Sequence, residues 1–467
     1  MIFNSLTFLY FFISVIFINY LLPLRFRNLW ILIAGFLFYM SWNPIYVLLL
    51  LGTALVDYVI AIKMSTFATQ KERKPWLIAS LTFSLGSLGF FKYTNMLLHT
   101  AGAFAQWSGV QWHEPFIQIA LPLGISFYTF ETISYAVDVY RGELQPKRNF
   151  FEYLSFLMFF PKLIAGPIVR ASELLYQIPL ARQWTDETFK DGINLMMIGF
   201  GKKVLFADNF APFVERVFAH PSANNRWMCL SAVYGYSMQV YFDFSAYSDI
   251  ARGCAKLLGY DLPVNFNKPY MSVSISEFWR RWHMTLSRWL RDYLYFPLGG
   301  NKGTQFQTYR NLFLTMLLGG LWHGANWTFV MWGGLNGTFL LVERAWHDVR
   351  GTKPKKREQM SLMEKIARGF IIFNLITLTR VFFRSPTFGI ALEMLHSIVR
   401  PSTTLARYDF AMFLIPFMTL VYILLSPLRD RIMKIEPKGL QLAGYGAFLV
   451  ILMVFGATNA EFIYFHF

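Results

Sequence analysis

Long apolar stretches separated by short basic loops dominate the hydrophobic pattern of this chain. A helix needs about 20 apolar residues to cross roughly 30 Å of hydrocarbon, and many stretches approach that length. The pattern therefore predicts an all-α polytopic membrane protein. The candidate spans are about 5–22, 29–40, 45–62, 76–97, 116–139, 191–206, 228–250, 370–384, 408–426 and 439–458.

The basic loops predict the orientation of these spans. Arg25 and Arg27 follow the first span, and later loops carry Lys and Arg at 63–74 and 141–148. Because cytoplasmic loops are enriched in Lys and Arg, we expect both termini on the external side. Residues 150–169 are interrupted by prolines and carry Lys162, which makes this segment the candidate for a re-entrant stretch surrounded by protein or by a water-filled cavity.

Composition supports the same class. Of 467 residues, 55% are hydrophobic, 19% aromatic and only 15% charged, far from the average of a soluble domain. The net charge of +16 resides in short loops, where it favours contact with anionic lipid over nucleic-acid binding. Cys229 and Cys254 predict neither a disulfide framework nor a metal site. We expect one membrane domain spanning 1–467.

His323 lies within residues 311–345, an apolar segment rich in glycine and tryptophan. The segment is too long for one simple crossing, and its glycines predict a break. A titratable side chain at membrane depth indicates a functional site, and a neutral imidazole suits a general base. On a continuous helix, Asn326 and Trp327 would lie beside the ring, which makes them candidates for binding substrate. The alternative is a histidine that only packs between helices.

Residues 277–300 predict a basic amphipathic helix within an interfacial region at about 265–300. At 100° per residue, Trp282 falls on the apolar face, Arg280 and Arg281 on the charged face, and His283 at the boundary. The arginines are candidates for binding the phosphates of an acyl carrier, and Trp282 beside them is a further substrate-binding candidate. The alternative is an interfacial helix with an incidental histidine.

Three further polar residues lie near apolar segments. Asp243 and Asp249, near one end of a span, are costly without partners, and nearby arginines are the expected ones. We assign them a structural role in preference to a catalytic one. Tyr464 lies in the aromatic C-terminal tail, 461–467, which either ends a span or presents a hydroxyl to the site.

Several motifs together resemble the membrane-bound O-acyltransferase family, in its branch of alginate O-acetyltransferase membrane subunits. They run through nearly the whole chain in the family's order. The most specific are EFWRRWHMTLSRWLRDYLYFPLGGNK and LLGGLWHGANWTFVMWGGLNG, accompanied by FFKYTN, LPLGISFYTFETISYAVDVYRGE, FPKLIAGPIVR and YFDFSAYSDIARG.

The resemblance implies a horseshoe of about 11 transmembrane helices, with re-entrant and interfacial helices, around a central tunnel and funnel. By motif, His323 matches the family's essential histidine and His283 its second functional histidine. Some related exporters end in an aromatic hexapeptide with a tyrosine proposed as an acyl relay. The tail resembles it at Tyr464, although His466 stands where glutamine is frequent.

The resemblance also implies an activity. A thioester donor, acetyl-coenzyme A or an acyl carrier protein, would enter from the cytoplasm as substrate, with no bound cofactor and no metal. The acyl group would cross the bacterial inner membrane, and a separate SGNH-type acyltransferase would place it on an extracytoplasmic polysaccharide such as alginate. The alternatives are D-alanyl transfer to teichoic acid and a non-enzymatic transporter of lipid or sugar.

Overall fold

The computed structural model describes residues 1, 3–112, 119–180, 185–352, 355–400 and 438–455. Within these ranges the regular elements are helices. The chain packs as two compact units, one formed by Met1–Gly192 and Cys254–Pro263 and the other by Ile193–Gly253 and Val264–Phe467. The expectation of a single domain stays a prediction.

The first unit contains eight complete helices and the first half of a ninth. It also includes the last residues of the helix Arg226–Leu257, which otherwise belongs to the second unit. In chain order they are α1 (Leu6–Leu21), α2 (Leu24–Met40), α3 (Tyr46–Ser65), α4 (Gln70–Trp107), α5 (Ile125–Arg141), α6 (Phe150–Leu157), α7 (Phe160–Leu163), α8 (Ala171–Leu174) and α9 (Asp186–Phe200).

The interrupted segment of the first unit is enclosed by protein, as expected. Pro161 lies in the four-residue helix α7, and the side chain of Lys162 is fully buried. Lys162 forms an ion pair with Glu131 of α5, which is also buried. Because a buried charge is costly without a partner, this pair explains how a lysine is accommodated there. Re-entry into a membrane stays a prediction.

The second unit carries the remaining elements. A π-helical stretch, Gly201–Ala207, continues α9. It is followed by α10 (Asp208–Ala219), α11 (Arg226–Leu257), α12 (Ile275–Arg281), α13 (Met284–Leu290), a second π-helical stretch (Arg291–Tyr295), α14 (Gln305–His323), α15 (Trp327–Arg350), α16 (Leu362–Arg384), α17 (Phe388–Val399) and α18 (Lys438–Phe455).

The predicted spans coincide with helices wherever the structure describes them, with shifts at the ends. The hairpin predicted from 29–40 and 45–62 is α2 and α3, but α4 extends well beyond 76–97. Helix α5 begins only at Ile125, after Gly124 with a φ of 75°. By length and apolarity, two helices of the described ranges meet the criteria for a membrane span, α3 and α16. The predicted span 408–426 lies outside the described residues.

Candidate functional site

Helices α14 and α15 form a close hairpin that positions His323. The backbones meet where glycines face each other: a Cβ on Gly320 would lie 2.4 Å from the carbonyl oxygen of Phe329, and one on Gly333 would lie 2.5 Å from that of Met316. Both separations are too short for any side chain. The glycines therefore bring the helices together, and α14 ends at His323, beside this crossing.

The break between these helices occurs where the glycine pattern predicts it. Helix α15 starts anew at Asn326, whose Oδ1 accepts a hydrogen bond from the backbone N–H of Thr328 at 3.0 Å. This is an N-cap, which satisfies a backbone donor that the first turn leaves free. The break places the imidazole of His323 at a helix end, where the chain turns.

Aromatic rings enclose the imidazole of His323, which is 5% exposed. Its centroid lies 5.1 Å from the ring of Trp332 on α15, nearly perpendicular to it, and 5.4 Å from the ring of Phe383 on α16. Trp322 lies 5.0 Å away on its other side. Such an enclosure excludes bulk water and strengthens electrostatic interactions inside it.

The second histidine lies at a sharp bend. Helix α12 ends at Arg281, and His283 has a φ of 42°, one of two positive values among the described non-glycine residues. A left-handed backbone costs energy for a residue with a side chain. The bend is secured by the N–H of Met284, which donates to the carbonyl of Asn265 at 2.9 Å. The result is a fully buried His283 side chain.

Hydrogen bonds around Asn265 determine the proton position on His283. The Oδ1 of Asn265 accepts from the N–H of Thr285 at 3.3 Å and from its hydroxyl at 2.9 Å, so this atom is the oxygen of the amide. The Nδ1 of His283 lies 3.1 Å from the same oxygen and must therefore carry the proton. In the neutral ring Nε2 is then the basic nitrogen.

This basic nitrogen is available for chemistry. The Nε2 of His283 is buried and has no hydrogen-bond partner among the described residues. Burial, with a smaller contribution from His323, holds the pKa of His283 well below its ordinary value. The two imidazole centroids are 6.4 Å apart. The two histidines are therefore neighbours in one buried aromatic cluster, with Trp322 close to both.

A narrow cavity adjoins His323. About 10 Å³ inside it is open to a water-sized sphere, which is space for about one water molecule. Its walls come from α11, α12, α14, α15 and α16, and they are apolar except at the histidine and two other residues. The lining comprises Val240, Phe278, Trp282, His323, Trp332, Asn336, Ile376, Arg380 and Phe383.

Comparison with known proteins identifies the chain. The membrane-bound O-acyltransferase family matches residues 143–383, a range that includes both histidines and the cavity. A probable alginate O-acetylase of Azotobacter vinelandii is 46% identical over 351 residues, covering 74% of this chain and 69% of that protein. The chain belongs to the membrane-bound O-acyltransferase family.

Other relatives locate the chain within that family. A peptidoglycan O-acetyltransferase of Helicobacter pylori is 37% identical over 85% of this chain and 80% of its own length. A teichoic acid D-alanyltransferase of Streptococcus thermophilus is 30% identical over 56% of the chain and 68% of its own length. The chain is an O-acyltransferase of the alginate O-acetylase branch, and as a member of a membrane-bound family it is a membrane protein.

The prediction of one continuous amphipathic helix over 277–300 is wrong for this O-acyltransferase. The bend at His283 and the π-helical stretch from Arg291 interrupt it. The residues of 277–300 therefore do not share one helix face, because the direction of the helix changes at the bend. Trp282 is 5% exposed and lines the cavity with His323. The sequence analysis places it on an apolar face and names it as a substrate-binding candidate, which stays a prediction.

The two predicted arginines differ in their surroundings. Arg281 is half-buried and pairs with Glu277, from its Nε at 2.9 Å. Arg280 is exposed and makes no ion pair among the described residues. Neither lines the cavity beside His323. Of the two, Arg280 is the one free to bind a phosphate.

The placement of Asn326 and Trp327 beside the imidazole on a continuous helix is wrong, because α14 ends at His323. Asn326 caps α15, and its Nδ2 donates to the carbonyl of Pro386 at 2.8 Å. Trp327 is the first residue of α15 and is 49% exposed. Its ring therefore lies at the protein surface and does not line the cavity.

The carboxylates of α11 have partners of a different type from the one expected. Asp243 lies 2.8 Å from the ammonium of Lys203, and Asp249 lies 2.6 Å from that of Lys202. Both lysines belong to the π-helical stretch after α9, which turns successive side chains toward α11. Both carboxylates thus contact lysines where the sequence analysis names arginines, and the ion pairs agree with a structural role. Tyr464 lies outside the described residues.

The sequence analysis missed Asn265, Asn336 and Arg380. Arg380 had a usable signal, a cation inside an apolar helix that the topology already identified as a span. Asn265 had none, because it lies in an irregular segment 18 positions before His283. Among the described residues, no group of three or more His, Cys, Asp or Glu side chains lies close enough to hold a metal ion.

Proposed function

We propose that this enzyme passes an acetyl group from a cytoplasmic thioester through the inner membrane of a bacterium for O-acetylation of an extracytoplasmic polysaccharide. The observation that carries the proposal is the pair of buried imidazoles, 6.4 Å apart. Relatives named as O-acetylases of alginate and peptidoglycan support an acetyl group and a polysaccharide acceptor.

The reaction needs one base near the thioester. A hydroxyl oxygen between the rings attacks the thioester carbonyl carbon while its proton passes to a histidine nitrogen. The carbon–sulfur bond then breaks, and the thiolate recovers the proton, which leaves an ester and a thiol. In this proposal His323, at the cavity, activates the hydroxyl, and the Nε2 of His283 assists by contacting the same oxygen. General-base catalysis of this type contributes typically 10²–10⁴-fold.

We propose that the donor is acetyl-coenzyme A or an acyl carrier protein, bound as a substrate on the cytoplasmic side. Arg280, with Arg281 and Trp282 beside it, lies at the end of α12 that leads to His283. Guanidinium groups suit phosphates, and Arg280 is the exposed one. Asn326 and Trp327, at the start of α15, remain candidates for binding substrate.

The arrangement in the membrane is part of the proposal. A horseshoe of about 11 spans with a tunnel and a funnel, and both termini outside, would let the acyl group cross while its carrier stays in the cytoplasm. Tyr464 remains a candidate relay to a separate SGNH-type acyltransferase, which would acetylate the polymer. Membrane lipids surround the spans. Basic loops agree with this orientation because they follow alternate spans.

The test compares His323→Ala with His396→Ala in cells lacking the native gene. His396 is exposed on α17 and serves as the matched control. We expect His323→Ala to abolish polymer O-acetylation, measured as ester content by NMR, with normal amounts of protein in the membrane. Purified wild type should transfer label from acetyl-coenzyme A to a hydroxyl. Unchanged ester content in His323→Ala would refute the catalytic assignment.

Transfer of D-alanine is the second candidate, supported by the D-alanyltransferase relative. That likeness covers a smaller part of the chain than the acetylase likeness does. The two are separated by supplying purified enzyme with labelled acetyl-coenzyme A or with a D-alanyl carrier protein. A transporter without chemistry conflicts with membership in an acyltransferase family.

A further inference from the structure

Arg380 is a buried cation in the apolar helix α16. Its side chain is 4% exposed, and among the residues that the structure describes it forms no ion pair with an acidic side chain. An arginine at such a position is costly, and in membrane proteins it generally serves a function. Three other buried cations, Lys162, Lys202 and Lys203, each contact a carboxylate. Arg380 differs from them in this respect.

The guanidinium is held firmly but incompletely bonded. Its Nη1 donates to the backbone carbonyl of Ser237 on α11 at 2.9 Å and to the hydroxyl of Tyr270. The Cζ atom of the guanidinium lies 4.4 Å from the centroid of the Trp282 ring. A guanidinium has five N–H donors, and those on Nε and Nη2 have no partner among the described residues. The group is therefore oriented and retains donors for a guest.

The guest site is the cavity beside His323, which Arg380 lines. Asn336 lines it too, and its Nδ2 donates to the carbonyl of Trp332 at 2.8 Å and to the hydroxyl of Thr379 at 3.3 Å. Its Oδ1 is buried and has no partner within the described ranges. An otherwise apolar cavity thus presents a donor group and a free acceptor next to an imidazole. This combination fits a small polar group.

We propose that Arg380 binds the carbonyl oxygen of the acyl thioester and stabilises the oxyanion that forms there. The inference rests on the proposed acyl transfer. When the hydroxyl oxygen bonds to the carbonyl carbon, the carbonyl π electrons move onto its oxygen, and the hydroxyl proton passes to a histidine. The oxyanion then returns its electron pair to carbon as the thiolate leaves. Arg380 gains most at the intermediate, because the negative charge is greatest there.

This role accounts for the unusual position of the residue. A purely structural staple between α16 and α11 needs a hydrogen-bond donor but no charge, and burying a charge for that purpose is unfavourable. A preorganised donor in a site without bulk water is the arrangement that stabilises transition-state charge. The size of the cavity, about one water molecule, admits a carbonyl oxygen and leaves the acyl carrier outside.

The test uses the full-length enzyme in lipid nanodiscs, with radiolabelled acetyl-coenzyme A and an oligosaccharide acceptor. Arg380→Gln should lower kcat by about 10²–10³-fold, the usual effect of losing an oxyanion donor. The KM for acetyl-coenzyme A should stay within about twofold, since the donor matters least in the ground state. Added guanidinium ion should restore part of the kcat of Arg380→Ala, which a merely structural role would not allow.

The matched control is Arg384→Gln, one helical turn further along α16. Arg384 is half-buried and lies over the rings of Phe218 and Tyr236, at 5.6 and 6.0 Å, outside the cavity lining. We expect its kcat to stay near that of the wild type. If Arg380→Gln does not fold, Arg380→Lys replaces it, because it keeps the charge but lacks the planar fork. A drop of at least about tenfold at unchanged KM supports the proposal.

Full kcat in Arg380→Gln, or in its lysine replacement, overturns the inference. So does a loss explained entirely by a lower Tm, with no rescue by guanidinium. Absence of transfer by the wild type would instead refute acetyl-coenzyme A as the donor in the proposed function. The two failures are therefore distinguishable.

Discussion

The side chain of Asn265 orients the imidazole of His283 and fixes its tautomer. Oδ1 of Asn265 lies 3.1 Å from Nδ1 of the ring and also accepts two hydrogen bonds from Thr285. The Nδ2 of Asn265 donates to the hydroxyl of Ser248 at 3.2 Å, so both ends of the amide are held. In the proposed mechanism, Asn265 thus acts as a positioning residue that leaves Nε2 of His283 as the base.

Substitution of Asn265 by Asp should change the pH dependence of the rate. In the wild type the pKa of His283 is lowered by burial. The ring therefore stays neutral, with Nε2 unprotonated, as the pH falls through about 6.5. A carboxylate beside Nδ1 would stabilise the protonated ring and raise that pKa. The acid limb of kcat/KM should therefore move to higher pH, as measured with labelled acetyl-coenzyme A.

Asn265→Ala provides the comparison, since it removes the tautomer constraint without adding charge. We expect its kcat to fall by about tenfold or more, with the acid limb moved less than in the Asp variant. A limb at the same pH in Asn265→Asp and wild type would contradict the positioning role.

Loss of both histidines should cost little more than loss of one. His283 and His323 contact the same reacting oxygen in the proposed mechanism, and residues that act as a unit are strongly non-additive. We expect each single alanine variant to lose about 10²–10⁴-fold in kcat and the double variant to resemble the worse of the two. Multiplicative losses in a double-mutant cycle would show independent roles.

The sequence predicted the helical class, the hairpin of α2 and α3, and a break within 311–343 but not its position after His323, because apolar length and glycine content are local signals. It predicted the two histidines as separate features and their importance by resemblance. It could not predict that their ring centroids lie 6.4 Å apart, since this depends on a left-handed bend at His283, a conformation that residue type does not encode. The uninterrupted helix over 277–300 was wrong for the same reason.

Partners across long separations were also beyond the sequence. Lys203 and Asp243 are 40 positions apart and pair because α9 continues as a π-helix, whose onset has no clear sequence signal. Asn265 and Arg380 reach the site from an irregular segment and a distant helix. Polar residues in apolar helices did indicate functional or structural sites. Only the packing shows which side chain each one meets.

Gly320→Val should disrupt the hairpin that carries His323. Its new side chain would collide with the backbone of Phe329, where a Cβ lies only 2.4 Å from the carbonyl oxygen, and backbone cannot yield as a flexible side chain does. We expect a lower Tm and loss of acetyl transfer. Gly334→Ala is the matched control on the same hairpin, because its nearest neighbour to a Cβ is a Leu317 methyl at 3.5 Å. Equal effects of the two would exclude the steric explanation.

Lys203→Met should destabilise the enzyme strongly. The ammonium lies 2.8 Å from Asp208 and 2.8 Å from Asp243, both buried. Removing one partner of a buried ion pair leaves an uncompensated charge, at a cost of about 3–5 kcal/mol. The control is Lys256→Met, whose carboxylate partners Asp191 and Asp261 are exposed, where pairs contribute about 0–1 kcal/mol. Thermal unfolding in detergent measures both, and similar Tm values for the two variants would contradict the structural role.

Arg280→Ala should weaken donor binding without impairing the chemistry. Arg280 is exposed, whereas the neighbouring Arg281 is held by Glu277 at 2.9 Å. A phosphate of the donor can therefore reach Arg280 without breaking an existing ion pair. We expect the KM for acetyl-coenzyme A to rise about tenfold, equivalent to roughly 1.4 kcal/mol, with kcat unchanged because the interaction is the same in the ground and transition states. The comparison uses acetyl-pantetheine, which lacks the nucleotide phosphates and should give the same KM with wild type and variant. A larger KM effect in Arg281→Ala than in Arg280→Ala would assign the phosphate to the paired arginine instead.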